Sequence, residues 1–291
     1  MRLREETGTS ADVLPASADF AQTGRFGEFV QKTCDAVYRS LSIILFFAIW
    51  QAASSLEFVP SAVIPPPSRV ASAVVESLLE GQMAAMLWYS IINVALGFAI
   101  SFIICIPAGL VIGAYYSRFE HVLLPFLRVC EKLNIFALFP VFMILFGIGR
   151  LEKIMVVLWV SQWPLLFVTI DGSRNLDRYM LKAARSMGAR GWKMVRKIII
   201  PMMTPYIFVG MKSSVQLSFF MIIASEMVGA NRGLGWLYRS SNHAYNVPLM
   251  YGIILVITVL AIVINVIFTR AERHFLAWRP DTFGEAGRKR A

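Results

Sequence analysis

Stretches free of Asp, Glu, Lys and Arg recur along this chain at the length a membrane helix needs. Residues 40–56, 133–149 and 154–170 each run seventeen residues without a charge, 81–117 run thirty-seven and 240–269 run thirty. Residues 198–225 are broken only by Lys212. A helix crosses the hydrocarbon core with roughly 17–25 mostly apolar residues. The pattern predicts helices at about 40–57, 86–115, 129–149, 154–173, 204–229 and 248–269. The fold class is therefore an all-α integral membrane protein with about six transmembrane helices.

Composition agrees. The 291 residues are 57% hydrophobic and 16% charged, with mean hydropathy +0.62, against about 25% charged in ordinary soluble domains. The net charge of +10 raises the question of nucleic acid, but the basic residues lie in loops between apolar spans and form no basic-aromatic groove or nucleic-acid motif. Loop position explains them better. With the N-terminus inside, segments 1–39, 116–128, 174–197 and 270–291 hold twenty-one Lys and Arg, and the outside segments hold five. Cytoplasmic loops carry such an excess, so both termini and 174–197 are predicted to be cytoplasmic. The domains are a tail at 1–39, a membrane domain at 40–273 containing a loop at 174–204, and a tail at 274–291. A cleaved signal peptide would place its apolar stretch nearer the start, so 40–57 reads as a retained first span. Within the tail, Phe26–Tyr38 reads either as a short amphipathic helix or as plain polar chain.

Chemistry-bearing residues are sparse. Cys34, Cys105 and Cys130 share no metal-ligand spacing, and His121, His243 and His274 fall on separate elements. No nucleophile–base or metal constellation marks an enzyme. No Walker-type phosphate loop occurs, so no cofactor is expected on this chain. Between the first two spans, Pro65–Pro67 cannot continue a helix. Ser68 reads as an N-cap for a helix with Val70, Val74 and Leu78 on one face. Gly109 and Gly113 stand four apart in the second span, a spacing that permits close helix approach. At the third span Arg128, Glu131, Lys132 and Asn134 either snorkel to the interface or line the mouth of a pathway. The fifth span holds Lys212, Ser213, Gln216 and, near its far end, Glu226. Buried polar groups of this kind face a bundle interior or water, so Asn134, Lys212, Ser213, Gln216 and Glu226 are candidate pathway residues. For Glu226 a helix-end or re-entrant-loop role stands beside that reading.

The polar interruption at Arg174–Lys197 carries eight basic residues against one acid, Asp177. Arg178–Met187 suits a short helix, with Gly188 placed for the left-handed position that ends it. Trp192, Val195, Ile198 and Ile199 repeat at helical spacing as a second apolar face. Pro201 then interrupts the helix. Two short helices joined at a glycine make a compact knob. A basic hairpin lying on lipid headgroups is the competing reading.

The runs "IPPPSRV", "NVALGFAISFIICIPAGLVIGAYYSRFE", "FPVFMILFGIG", "KAARSMGARGWKMVRKIIIPMMTPYI" and "SEMVGANRGLGWL" together resemble the permeases of bacterial ABC importers for nitrate, sulfonates, taurine and bicarbonate. The resemblance covers Pro65 to about Trp278. It implies the type I ABC importer permease fold in the bacterial inner membrane, a second permease copy, two cytoplasmic ABC ATPase subunits that bind ATP and Mg, and an external solute-binding protein. It makes 174–204 the coupling loop, with Lys182, Ala183, Ala184, Gly188, Ile198, Ile200 and Pro201 at the ATPase-coupling positions. The function implied is passage of a small oxyanion or organic solute. Lipid surrounds the chain and nucleic acid is no partner. The alternative class, an ion-driven carrier or channel, calls for inverted repeats or broken helices in matching halves. This chain departs from the family pattern at Lys182, where relatives usually carry Glu, and at Ile200, which replaces Leu. In "EKLNIFALFP" a usual early proline is missing.

Overall fold

The computed structural model describes residues 41, 44–56, 63–115 and 117–276. Both predicted tails, apart from residues 274–276, and the segment Phe26–Tyr38 lie outside the described residues. The chain divides into two units, ending and beginning at Ser68 and Arg69.

In the first unit, α1 (Ile44–Ser55) is a short apolar helix. The Ser54 hydroxyl donates to the Ile64 carbonyl at 2.8 Å and Gln51 Oε1 accepts from the Ser68 amide at 3.3 Å. The next helix, α2 (Pro67–Leu79), begins on Pro67. Ser68 is thus inside the helix rather than its cap. A proline at the first helical position has φ already set, and its missing N–H would have been unpaired there anyway.

The second unit contains α3 (Gln82–Tyr115), α4 (Ser117–Glu131), α5 (Ile135–Phe146), α6 (Arg150–Arg174), α7 (Arg178–Ser186), α8 (Gly191–Met194), a π-helical turn (Val195–Ile199), α9 (Ile200–Gly229), α10 (Leu234–His243) and α11 (Val247–Phe275). Among the described residues four helical segments are long and apolar enough to cross a membrane: Gln82–Gly113, Arg150–Arg174, Gly191–Gly229 and Val247–Phe275. The predicted third span, 129–149, is not one straight helix. Its residues are shared between α4 and α5, bent by 89°. Asn134, in extended backbone, restarts the chain as the N-cap of α5 by accepting from the Phe136 amide at 3.0 Å. The break occurs with no proline in residues 131–137.

The fifth span also differs from expectation. The helix runs unbroken from Gly191 to Gly229, so Pro201 does not interrupt it. Proline lacks an N–H and its ring crowds the carbonyl four residues back. The wider π turn just before it, closed by Ile200 N to Val195 O, takes up that misfit.

α6 is the central helix: 61% of its apolar window is buried, against 11% for α11. It is gripped from one side by a stripe of small residues on α3. Asn93, Gly97, Ser101, Cys105, Gly109 and Gly113 stand at strict four-residue intervals along the seam. A Cβ on Gly97 would lie 2.6 Å from Val157 Cγ1 and 2.8 Å from the Ile154 carbonyl, and one on Gly109 2.8 Å from Thr169 Cβ. Residues four apart form one ridge of a helix, and small side chains there let the backbones meet. On the other side, Gly172 lies under Tyr206 and Gly210 against Leu165, bringing in α9. α2 packs on α10 and α11 through Val74, with the Val70 carbonyl beside Gly252; Ser77 is buried and Leu78 exposed.

Candidate functional site

The polar loop folds as a knob with two faces. Asp177 caps α7 by accepting from the Tyr179 amide at 2.8 Å. The helix ends with Gly188 N donating to Arg185 O and Ala189 N to Ala184 O, both at 3.0 Å. This paired closure places the residue after the cap in the left-handed region, and Gly188 has φ +83°. The inner face consists of Leu176, Met194, Ile199, Met203 and Ile207. Phe102, Ile106 and Leu110 of α3 pack against them, as do Leu181 and Ile198. The knob is therefore rooted by apolar contact in α3 and α9.

The outer face carries Tyr179 and Met187, each 82% exposed, with Met180 and Trp192. Lys182, Ala183, Arg185, Arg190 and Lys193 are exposed around them. Large apolar groups held exposed on a folded scaffold beside charged residues suit a contact surface. Of the coupling-loop residues singled out from sequence, Lys182, Ala183, Gly188 and Pro201 lie on exposed surface. Ala184 is buried and turned the other way, while Ile198 and Ile200 are half-buried. Trp192 does not share the face of Val195, Ile198 and Ile199. A π turn adds a residue per turn and rotates the stripe by about 100° across it.

The candidate pathway residues fall in three places. Ser213 and Gln216 are exposed on α9. Lys212 beside them donates from Nζ to Thr269 Oγ1 of α11 at 3.0 Å. With Asn265, Lys212 and Gln216 border a crevice of about 20 Å³, enough for one water. Asn134 is the exposed α5 cap, at the end of the local group where Arg128 and Lys132 lie 3.6 and 3.7 Å from Glu131. Arg128 also stacks over the Phe167 ring at 4.0 Å. Glu226 is separate from both sets and wholly buried.

Sequence reasoning missed a polar network at the end of the bundle opposite the knob. Glu152 and Lys153, which fall between the uncharged runs 133–149 and 154–170, are inside α6 and at most 1% exposed. Lys153 Nζ lies 2.6 Å from Glu152 Oε2 and donates to the Ser225 carbonyl at 2.8 Å. The Ser225 hydroxyl donates to Glu152 Oε1 at 3.0 Å. Nearby, Arg150 Nε donates to Asn93 Oδ1 at 3.0 Å. Adjacent opposite charges at the head of an apolar helix were the available signal. Their depth came only from the packing of α3 and α9 around them.

Comparison with known proteins gives a consistent picture. The profile of the binding-protein-dependent transport system inner membrane component family matches residues 105–278. A probable ABC transporter permease of Brucella abortus is 25% identical over 217 residues, covering 75% of this chain and 86% of that one. A putative aliphatic sulfonates transport permease of Bacillus subtilis is 25% identical over 235 residues, 81% of this chain and 85% of its own. Among solved structures, a chain of the inward-facing MetNI methionine ABC transporter superposes with TM-score 0.58 at 17% identity. That match covers 65% of this chain and 93% of that one, a likeness of fold.

Proposed function

The chain belongs to the family of binding-protein-dependent transport system inner membrane components, and on that premise we propose how this ABC importer permease works. Two copies enclose the path of a small oxyanion or organic solute, and each copy docks its knob on a cytoplasmic ATPase. The permease is a transport component rather than an enzyme. ATP and Mg bind the partner ATPase, and a solute-binding protein delivers cargo from outside.

The observation that carries this reading is the two-faced knob. Its exposed Tyr179, Met180, Met187 and Trp192 suit an apolar cleft, and its basic rim suits an acidic border. The buried half continues into α3 and α9, so a push on the outer face reaches two spans. The excess of Lys and Arg in 1–39, 174–197 and 270–291 supports a cytoplasmic knob and cytoplasmic termini in the inner membrane. The polar side of α9, with Ser213 and Gln216 exposed and Lys212 tied to Thr269, is poorly suited to lipid. It supports a face shared with the second copy and the pathway. The sulfonate-permease relative supports a small anionic cargo.

Two measurements test the reading. The purified chain should retain an ABC ATPase whose hydrolysis it stimulates. In a background lacking Cys34, Cys105 and Cys130, an impermeant thiol reagent applied to intact cells should label Ser68→Cys and spare Ser186→Cys. The reverse labelling sinks the orientation, and a chain that transports without any ATPase turns the reading toward an ion-driven carrier.

A further inference from the structure

We propose that Glu226 is a positioning residue that ties α10 to α9 and α3, so that the end of the bundle opposite the knob moves as one body during transport. The inference rests on the permease reading but uses residues that reading leaves without a role.

The first backbone N–H groups of a helix have no partner inside it. α10 begins with Leu234 and Gly235 buried, and its N-cap, Gly233, brings no side chain. Their partners come from two other helices. Gly235 N donates to Glu226 Oε2 at 3.0 Å and Leu234 N donates to Ser90 Oγ at 3.0 Å. Ser90 Oγ in turn lies 2.7 and 2.9 Å from the two Glu226 oxygens and 3.3 Å from the Met86 carbonyl, so the Glu226 carboxyl group is its nearest acceptor. A carboxyl group is therefore set at the unpaired N–H groups that open α10, supplied by α9 and steadied by α3.

The turn is shaped around this carboxyl group. Gly233 has φ +111°, and a Cβ there would run into the Glu226 carboxyl group. A Cβ on Gly235 would meet the Ile223 carbonyl and lie 2.8 Å from Glu226 Cβ. The tie is reciprocal. Arg239 of α10 donates to the carbonyls of Met227, Val228 and Ala230 at 3.0, 3.2 and 3.4 Å, closing the open end of α9. One residue before Glu226, Ser225 joins α9 to the Glu152–Lys153 pair of α6.

Four helices thus meet at this end through directional bonds, with Ser90, Glu152, Lys153, Ser225 and Glu226 all fully buried. At the knob end, α3 and α9 meet it through apolar contact. Hydrogen bonds fail steeply with misalignment, whereas apolar contact is non-directional. Motion entering at the knob is taken up near it, and the far end is carried rigidly.

The test is amide hydrogen exchange across residues 230–236 of the permease–ATPase complex in lipid nanodiscs, with and without trapping by Mg-ATP and vanadate. In the unaltered chain the exchange should agree between the two states within about twofold. Glu226→Gln keeps one acceptor and turns the other into a donor facing Ser90. It should speed exchange about tenfold or more and make it nucleotide-dependent, with basal ATP hydrolysis within about twofold. A merely structural loss would not introduce that nucleotide dependence. Exchange in the unaltered chain that rises about tenfold on trapping, or is unmoved by Glu226→Gln, overturns the proposal. So does faster exchange in that variant without nucleotide dependence. Should Glu226→Gln fail to insert, Ser90→Ala decides: exchange about threefold faster or more supports the tie, and unchanged exchange removes it. Failure of the permease reading shows separately, as a purified chain with no ATPase. The two variants then still test the tie in the permease alone, where unchanged exchange overturns it.

Discussion

Gly188 offers the sharpest test of the knob, because its environment separates two effects that glycine substitutions usually mix. A Cβ built on it meets no atom within 4 Å, while its φ is +83°. A side chain there has room, and only the backbone objects. The left-handed conformation costs a residue with a Cβ roughly 1–2 kcal/mol, and asparagine bears it more easily. That range corresponds to about 5–30-fold in a local equilibrium. If the ATPase binds only the closed knob, its apparent affinity falls by at most the same factor, since affinity scales with the competent fraction. The series Gly188→Asn, Gly188→Ala and Gly188→Val should therefore weaken ATPase association in that order, with Asn close to the unaltered chain. Val should be worst, because β-branching restricts it further. Membrane insertion should be unaffected throughout. Titration of purified ATPase onto the permease in nanodiscs measures the affinities, and stimulated hydrolysis reports coupling. Asn and Val variants that are equally weak would show that conformation is not the cause. A Val variant that binds and couples normally would remove this turn from the mechanism.

Three further outcomes follow from the packing. Gly97→Val should break the α3–α6 seam, because even its Cβ would lie 2.8 Å from a backbone carbonyl that cannot swing away. Overpacking of this kind costs about 1–3 kcal/mol or more, read as a lowered thermal midpoint in detergent, and an unshifted midpoint would contradict the seam. Lys153→Met leaves Glu152 buried and uncompensated, a loss of about 3–5 kcal/mol. The double variant Glu152→Gln with Lys153→Met should recover much of it, and equal stability of the single variant and unaltered chain would show the pair is not desolvated. Gln216→Leu should lower uptake of the small anionic cargo proposed above in reconstituted vesicles while assembly and basal hydrolysis stay near normal; unchanged uptake kinetics would take Gln216 out of the pathway.

What the sequence determined by itself follows from short-range physics. Uncharged runs of spanning length needed only a count, since the bilayer imposes the length. The ending of α7 at Gly188 and the basic interruption were legible because each depends on residues within one or two turns. The bend after Glu131 was not. Asn134 is a cap signal, but an unbroken apolar run hid it, and length alone made one helix of two. Pro201 misled for a related reason: proline breaks a regular α-helix, and only the folded chain revealed the π turn that spares this one. The small-residue row from Asn93 to Gly113 was read at one pair, because four-residue spacing gains meaning only when a second helix lies in the groove. The depth of Glu152, Lys153 and Glu226 was decided wholly by tertiary structure. An acid near a helix end reads the same from sequence whether water or three other helices surround it. Here the partners of the Glu226 carboxyl, Ser90 of α3 and the N-terminus of α10, lie 136 and 9 residues away along the chain, and only the folded chain brings them to it.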